Sequence, residues 1–244
     1  PPNSACRFRG KRPGNCKSVG VKRHPFPRAS PMRKKAYRNE PRRVRMTLDL
    51  AKVEATLLEA AEAAAAHTLP LFRTPLTIDN KFATGFDPVT EADRGAETVI
   101  RAVIARAFPD HAIIGEEWGS TGESPHSWII DPVDGTRAFI SGAPVWGTLI
   151  GFAREGVAIA GLMNQPFIGE TFFAVPGRAA YRRGETTSPL RTSGETDLAA
   201  ARVFTTTPTL FSTPDLLAKW QAVEAATRLQ RFGMDCYGYA LLAA

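Results

Sequence analysis

Between Thr47 and His67, apolar side chains recur at Leu50, Val53, Leu57, Leu58 and Ala61 in a stretch rich in Ala, Leu and Glu. That spacing lays one stripe along a helix, so it predicts an amphipathic first helix, closed by Pro70 and Pro75. The following "LTIDNKFATGFDPVT" loses the period and reads as a strand or extended loop. A second helix is predicted from Glu91 to Phe108, with Val99, Ile100, Val103, Ile104 and Phe108 on one face. Thr90 stands where its N-cap belongs and Asp93 three residues on, a capping-box pairing.

Beyond Pro109-Asp110 the period shortens to apolar runs punctuated by Gly and Pro. "HAIIGEE", "SWIIDPVDGT", "VWGTLIGFAREGVAIAGLMNQP" and "ETFFAVPGRAAYRRG" read as successive strands, the third a hairpin about Glu155-Gly156. After Arg191 the order turns to strand ("ARVFTTTP"), helix (Pro214 to Leu229), strand ("RLQRFG") and helix ("YGYALLAA"). The implied architecture is α+β passing into α/β: a lobe over residues 46–190, then an incomplete α/β lobe over residues 191–244.

The formal charge of +7 suggests nucleic acid until it is divided along the chain. Residues 1–45 hold 15 Lys/Arg against the single Glu40, about +14, whereas residues 46–244 carry about −7. The tail also has seven prolines and no helical or strand period, so disorder is expected there. An organelle transit peptide and a nucleic-acid arm both fit its charge. The preferred expectation is that Met46 lies near the natural start and that the tail is upstream or added sequence. A non-catalytic nucleic-acid-binding protein is the reading from a different class, and an acidic body works against it. No apolar run approaches a membrane span. Cys6, Cys16 and Cys236 form no metal or disulfide pattern, consistent with a cytoplasmic protein.

The chemistry gathers where apolar runs end. In "WIIDPVDGT" Pro132 is expected to end the strand at Asp131, so that Asp131, the Val133 carbonyl and Asp134 emerge in one tight turn. Three hard oxygens in four residues suit Mg²⁺ or Ca²⁺. Gly135 and Thr136 offer backbone N–H groups, an anion cradle if a helix begins at Thr136. An ordinary Asp-Gly hairpin turn is the plain alternative. "AIIGEE" repeats the design with Glu116 and Glu117; if the two strands are neighbours, Glu116 meets Asp131 and the charge requires cations. Asp93 is a helix cap and, hydrogen-bonded to a Thr hydroxyl, a group able to orient water.

Taken in order, "DPVTEAD", "GEE" and "WIIDPVDGT" resemble the three signature segments of the inositol-monophosphatase-like superfamily of Mg²⁺-dependent, lithium-sensitive phosphatases, over residues 47–244. "GAPVWGTLIGF", "NQPFIGETFF" and "RFGMDCYGYALLAA" are similar to its histidinol-phosphatase branch. The resemblance implies a layered αβαβα sandwich and two or three Mg²⁺ ions, with Mn²⁺ as an alternative. It also implies Glu116, Asp131 and Val133 at one ion, Asp131 and Asp134 at a second, phosphate on Gly135 and Thr136, and water aligned by Asp93 and Thr136. A small phosphomonoester, L-histidinol phosphate, is the implied substrate, with inositol phosphates or a nucleotide bisphosphate as alternatives, and a homodimer the implied assembly. Asp235 is the candidate for the substrate's cationic end, against a second role as N-cap of "YGYALLAA". Tyr237 and Tyr239 are expected to pack, Cys236 to be a buried small residue, and Arg182-Arg183 to mark a solvated hairpin end. The chain departs from the family pattern at Asn164, where the branch shows an acid. It departs again past Ala244, where the pattern supplies another metal-ligating Asp and closing strands. A truncated, poorly active chain with an uncovered sheet edge is the expectation.

Overall fold

The computed structural model describes residues 48–80 and 88–244. The expectations for the basic tail 1–45 and for residues 81–87 lie outside the described residues.

Helix α1 (Leu50–Thr68) begins at Asp49, whose side chain accepts from the Lys52 amide at 3.0 Å. It ends just before Pro70, which has no N–H for the ladder and whose ring clashes one turn back. Strands β1 (Asp79–Asn80) and β2 (Pro88–Val89) pair antiparallel and lead into α2 (Glu91–Ala107), where the Thr90/Asp93 capping box is formed. There follow β3 (Ala112–Gly115), β4 (Gly119–Thr121), β5 (His126–Asp134), α3 (Thr136–Ser141), β6 (Gly147–Arg154), β7 (Val157–Gln165), β8 (Glu170–Val175), β9 (Arg178–Arg183) and β10 (Thr186–Pro189). These strands form one sheet in the order β10-β9-β8-β7-β6-β5-β3-β4, antiparallel throughout except for the parallel β3/β5 pair. The β6/β7 hairpin turns at Glu155-Gly156 with φ of 53° and 78°, both positive as a type I′ turn requires. Strands β4 and β10 were not legible in the sequence. Both are short, polar and wholly exposed, so no alternation marks them, and they close the sheet at its two edges.

The remaining elements are β11 (Arg202–Thr205), α4 (Pro214–Ala226), β12 (Leu229–Phe232) and α5 (Asp235–Ala243), with β11 and β12 parallel. Helix α4 stops three residues short of the expected Leu229, which is taken into β12.

Side-chain direction fixes the layers. Trp128, Ile130, Ile150, Phe152 and Leu162 pack beneath Val53, Leu57 and Ala61 of α1 and Ile100 and Ile104 of α2. On the opposite face Met163 and Phe172 meet Cys236 and Ala240 of α5. Phe204 of β11 lies against Gly238 of α5. Phe204 pairs with Arg231, so the next residue, Phe232, points the other way, towards Trp220 of α4. The order is therefore α1/α2, large sheet, α5, small sheet, α4, an αβαβα sandwich.

Packing of this kind also sets the register of β5. Burying Trp128 (0% exposed) and Ile130 (2%) contributes roughly 1.5–3 kcal/mol each. A one-residue slip would expose both and turn Asp131 into the core. The apolar stripe thereby dictates where the acidic end of β5 emerges.

Candidate active site

Strands β3 and β5 run parallel with Gly115 opposite Ile130, so Glu116 and Asp131 follow side by side. The Glu116 amide donates to the Ile130 carbonyl at 3.2 Å, and the Glu116 and Asp131 side chains are in hydrogen-bond contact.

Pro132 does not end β5. The strand continues to Asp134, with pairing that steps from Asp131–Leu149 to Asp134–Gly147 across a register shift. Three steps on β5 thus face two on β6, a β-bulge, which is where a residue without an N–H is tolerated inside a sheet. The buried Thr148 hydroxyl donates to the Pro132 carbonyl at 2.9 Å and holds the bulge. The Val133 side chain is buried while its carbonyl lies 3.1 Å from Thr136 Oγ1, facing the start of α3.

At that start Gly135 has φ 82°. A Cβ there would lie 3.2 Å from Asp235 Oδ2 and 3.3 Å from Trp146 Cα, so both conformation and space call for glycine. Its neighbour Thr136 meets Asp93, which arrives from the first turn of α2 and is 2% exposed. Asp93 Oδ2 accepts from the Thr90 amide at 2.8 Å and hydroxyl at 2.6 Å, while Oδ1 faces Thr136 Oγ1 at 3.3 Å. Capping and water orientation are compatible because they use different oxygens. Thr136 has one hydroxyl hydrogen for two acceptors, Asp93 Oδ1 and the Val133 carbonyl.

The electrostatics of the cluster are strained. Burial, then the charges of Glu116 and Asp134, push the Asp131 carboxyl well above the usual carboxylate range. Burial also raises Asp93, against hydrogen bonds from Thr90 and Thr136 that lower it. Asp131 Oδ1 is buried with no hydrogen-bond partner. Asp134 Oδ2 accepts from the Cys236 amide at 2.9 Å, which ties the end of β5 to α5. The sequence places Glu116, Asp131 and Asp134 as ligands of shared ions, but among the described residues no three His, Cys, Asp or Glu side chains stand together in chelating geometry. An orphaned carboxylate oxygen, two neighbouring acids and a backbone carbonyl form a donor set of hard oxygens, and that set fits a small divalent cation.

Asp235 is brought to the same place. Its carboxylate lies against Gly135, and its carboxyl is raised by burial and by Asp134 and lowered by Arg137. The cap expected of it is not made: Met234 is the N-cap, without a side-chain bond, and Asp235 is the first helical residue, at φ 42°. Tyr237 packs against Phe172 and donates to Glu170, whereas Tyr239 is 79% exposed and does not pack as expected. Cys236 is buried, and burial beside Asp134 pushes its thiol up, away from reactivity. His111 and His126 stack with their rings 4.9 Å apart at the far end of β5 from the acids. Arg182 and Arg183 are not merely solvated: Arg182 pairs with Glu62 at 2.9 Å and Arg183 lies 4.0 Å from Glu170.

Two supporting residues escaped the sequence reading, Thr148 and Glu97. Thr148 shares a face of β6 with the buried Ile150 and Phe152, and a single threonine in that run has no mark that assigns it a partner. Glu97 does have one, since it shares a face of α2 with Asp93, Ile100 and Ile104 and is fully buried.

Known proteins resemble the chain in sequence and in fold. Over 188 residues the chain is 37% identical to the histidinol-phosphatase of Chlorobaculum parvum, covering 76% of this chain and 71% of that protein. It is 40% identical over 159 residues to the chloroplastic bifunctional phosphatase IMPL2 of Arabidopsis thaliana, covering 64% of this chain but only 45% of that one. A solved inositol monophosphatase from Zymomonas mobilis superposes with a TM-score of 0.67 at 32% identity, covering 80% of this chain and 74% of that chain. Residues 49–244 match the sequence model of the inositol monophosphatase family, and the chain belongs to that family.

Proposed function

We propose that this chain carries the catalytic site of a Mg²⁺-dependent phosphomonoesterase, and that its substrate is L-histidinol phosphate. The observation that carries the reading is the buried, unpaired Asp131 Oδ1 with the Glu116 and Asp134 carboxylates close enough to oppose its ionisation, in the same turn as the Val133 carbonyl and next to Asp93 and Thr136. Those four oxygen donors would hold Mg²⁺ or Mn²⁺, which supplies Lewis-acid polarisation of the phosphate ester and acidifies the attacking water.

The chain's own groups do the positioning. The first N–H groups of a helix have no intrahelical partner, so those of α3, with the unhindered Gly135, can donate to phosphate oxygens. Helix α3 has only six residues, so local hydrogen bonds rather than a macrodipole carry this contact. Thr136 Oγ1 and Asp93 Oδ1 hold the attacking water, with Asp93 Oδ1 as acceptor of its proton. Phosphoryl transfer asks mainly for positioning and charge neutralisation, so no covalent nucleophile is needed.

Asp235 supports the choice of substrate. A half-buried carboxylate against Gly135 complements the ammonium of histidinol phosphate and gains nothing from a neutral polyol. The histidinol-phosphatase relative is in keeping with this. Inositol 1-phosphate is the second reading, favoured by the family and by the Zymomonas structure. Phosphate release from L-histidinol phosphate and myo-inositol 1-phosphate, measured side by side with Mg²⁺ and with EDTA, decides between them. Preference for histidinol phosphate is expected. Equal or reversed preference removes the substrate assignment, and EDTA-resistant hydrolysis removes the metal.

A further inference from the structure

Among the described residues the most completely enclosed acid is Glu97, and the mechanism makes no use of it. It sits one turn after Asp93 on α2 with 0% exposure. Its Oε2 accepts from the Glu117 amide at 2.6 Å, and its Oε1 accepts from the Trp118 amide at 3.2 Å and from Arg101 Nε at 2.8 Å. Arg101 extends the grip, donating to the Gly119 carbonyl and, at 3.1 Å, to Thr121 Oγ1. Trp118 Nε1 donates to the Arg94 carbonyl of α2 at 3.2 Å. Apart from the Glu97–Arg101 pair within α2, these bonds all join α2 to residues 117–121, the segment that directly follows Glu116.

The sequence makes room for the contact. A Cβ on Gly115 would fall 1.8 Å from Glu97 Oε1 and 2.3 Å from its Cδ, so the carboxylate occupies the space of the missing side chain. Glu116 is held on one side by its amide bond to Ile130 and on the other by an amide clamped to Glu97. Charge-assisted bonds to backbone amides are stronger than neutral ones and fix direction. An acid whose neighbours repel it would otherwise swing away from Asp131.

We propose that Glu97, completed by Arg101, is a positioning residue that holds Glu116 against Asp131 and so preorganises the cation site before the ion arrives. One helix then sets two parts of the site, Asp93 for water and Glu97 for the Glu116 loop. The proposal rests on the metal-centre reading above and names the device that enforces it.

The test uses the whole chain, Mn²⁺ binding followed by electron paramagnetic resonance, and amide hydrogen exchange. Exchange at Glu117 and Trp118 should be slow in the unmodified chain. Glu97→Gln keeps the shape but places an NH₂ against a donor, and should speed exchange at both amides while weakening Mn²⁺ binding roughly 10-fold. At saturating metal, kcat should return towards the unmodified value, and the faster exchange should be confined to the Glu117 and Trp118 amides, whereas mere destabilisation would speed exchange through the core as well. Gly115→Ala should reproduce both effects by displacing the carboxylate. Unchanged Mn²⁺ affinity in Glu97→Gln overturns the proposal while leaving the metal centre intact. Failure of the unmodified chain to bind Mn²⁺ overturns the metal-centre reading and the proposal with it. If Glu97→Gln does not fold, Arg101→Gln, which alters only the outer arm, must show the same weakening in smaller degree, and unaltered binding there also overturns it.

Discussion

Replacing Asp131 by Asn should move stability and catalysis in opposite directions. The side chain keeps its shape and loses its charge, at the point where burial, Glu116 and Asp134 all oppose ionisation. In the unfolded chain this carboxyl ionises near its reference value of about 3.9, whereas in the folded, metal-free chain it holds its proton to far higher pH. The sign follows: the penalty is absent below about pH 4 and grows as pH rises towards the folded value, because the unfolded state releases the proton first. At pH 7 the unfolded carboxyl stands about three pH units above its own pKa while the folded one still holds its proton, an upper limit of about 4 kcal/mol at 1.4 kcal/mol per unit; relaxation of the site brings the expected gain for Asn nearer 2 kcal/mol. Urea denaturation in EDTA should therefore show Asp131→Asn more stable than the unmodified chain, by more at pH 7 than at pH 5. In excess Mg²⁺ the order should reverse, since the unmodified chain gains about 2.7 kcal/mol at a hundredfold excess over Kd and the variant little. Turnover should fall by more than roughly 100-fold, beyond the usual effect of outer-shell changes. A variant less stable in EDTA, with an undiminished response to Mg²⁺, would make Asp131 a structural acid and refute the reasoning.

Asp93→Asn should cost about 1 kcal/mol from the weakened cap and lower kcat by roughly 10²-fold or more, with KM little changed; equal losses in kcat and stability would confine Asp93 to capping. Asp235→Asn should raise KM for histidinol phosphate and leave that for a neutral phosphomonoester near its original value, so parallel changes would assign Asp235 to folding. His111 is held down to about 4 by burial and by the charge of His126, and its Nδ1 accepts from Trp128 Nε1 at 3.1 Å, which a protonated ring could not do. The His111 contribution to stability should accordingly be constant above pH 6.5 and fall as pH drops from 6.5 towards 4, by on the order of 1 kcal/mol once the ring's partial exposure is discounted, and it is read as the difference between the unmodified chain and His111→Phe so that the opposite trend from Asp131 cancels. A His111→Phe chain that keeps the same acid slope would contradict this.

What could be read in the sequence was what local period and order encode. The stripe of α2 and its Thr90/Asp93 cap, the Glu155-Gly156 hairpin and the acids at the ends of β3 and β5 all announce themselves within a few residues. Pro132 misled because its cost depends on the partner strand: with one extra residue on β5 and Thr148 on its carbonyl, the missing N–H falls where no ladder bond is due. Glu97 stands on the apolar face of α2 with Ile100 and Ile104, a mark of burial, but what it binds, the amides after Gly115, comes only from the tertiary fold. Asp235 could be placed beside Gly135 only by α5 packing on the large sheet, a contact spanning a hundred residues that no local pattern carries.

The central claim is that the end of β5 is a divalent-cation site, and Mn²⁺ diffused into crystals tests it most directly through anomalous scattering. The account predicts anomalous density within ligand distance, about 2.0–2.3 Å, of Asp131, Glu116, Asp134 and the Val133 carbonyl. Density elsewhere, or none at occupancies that stabilise the chain in solution, would contradict it.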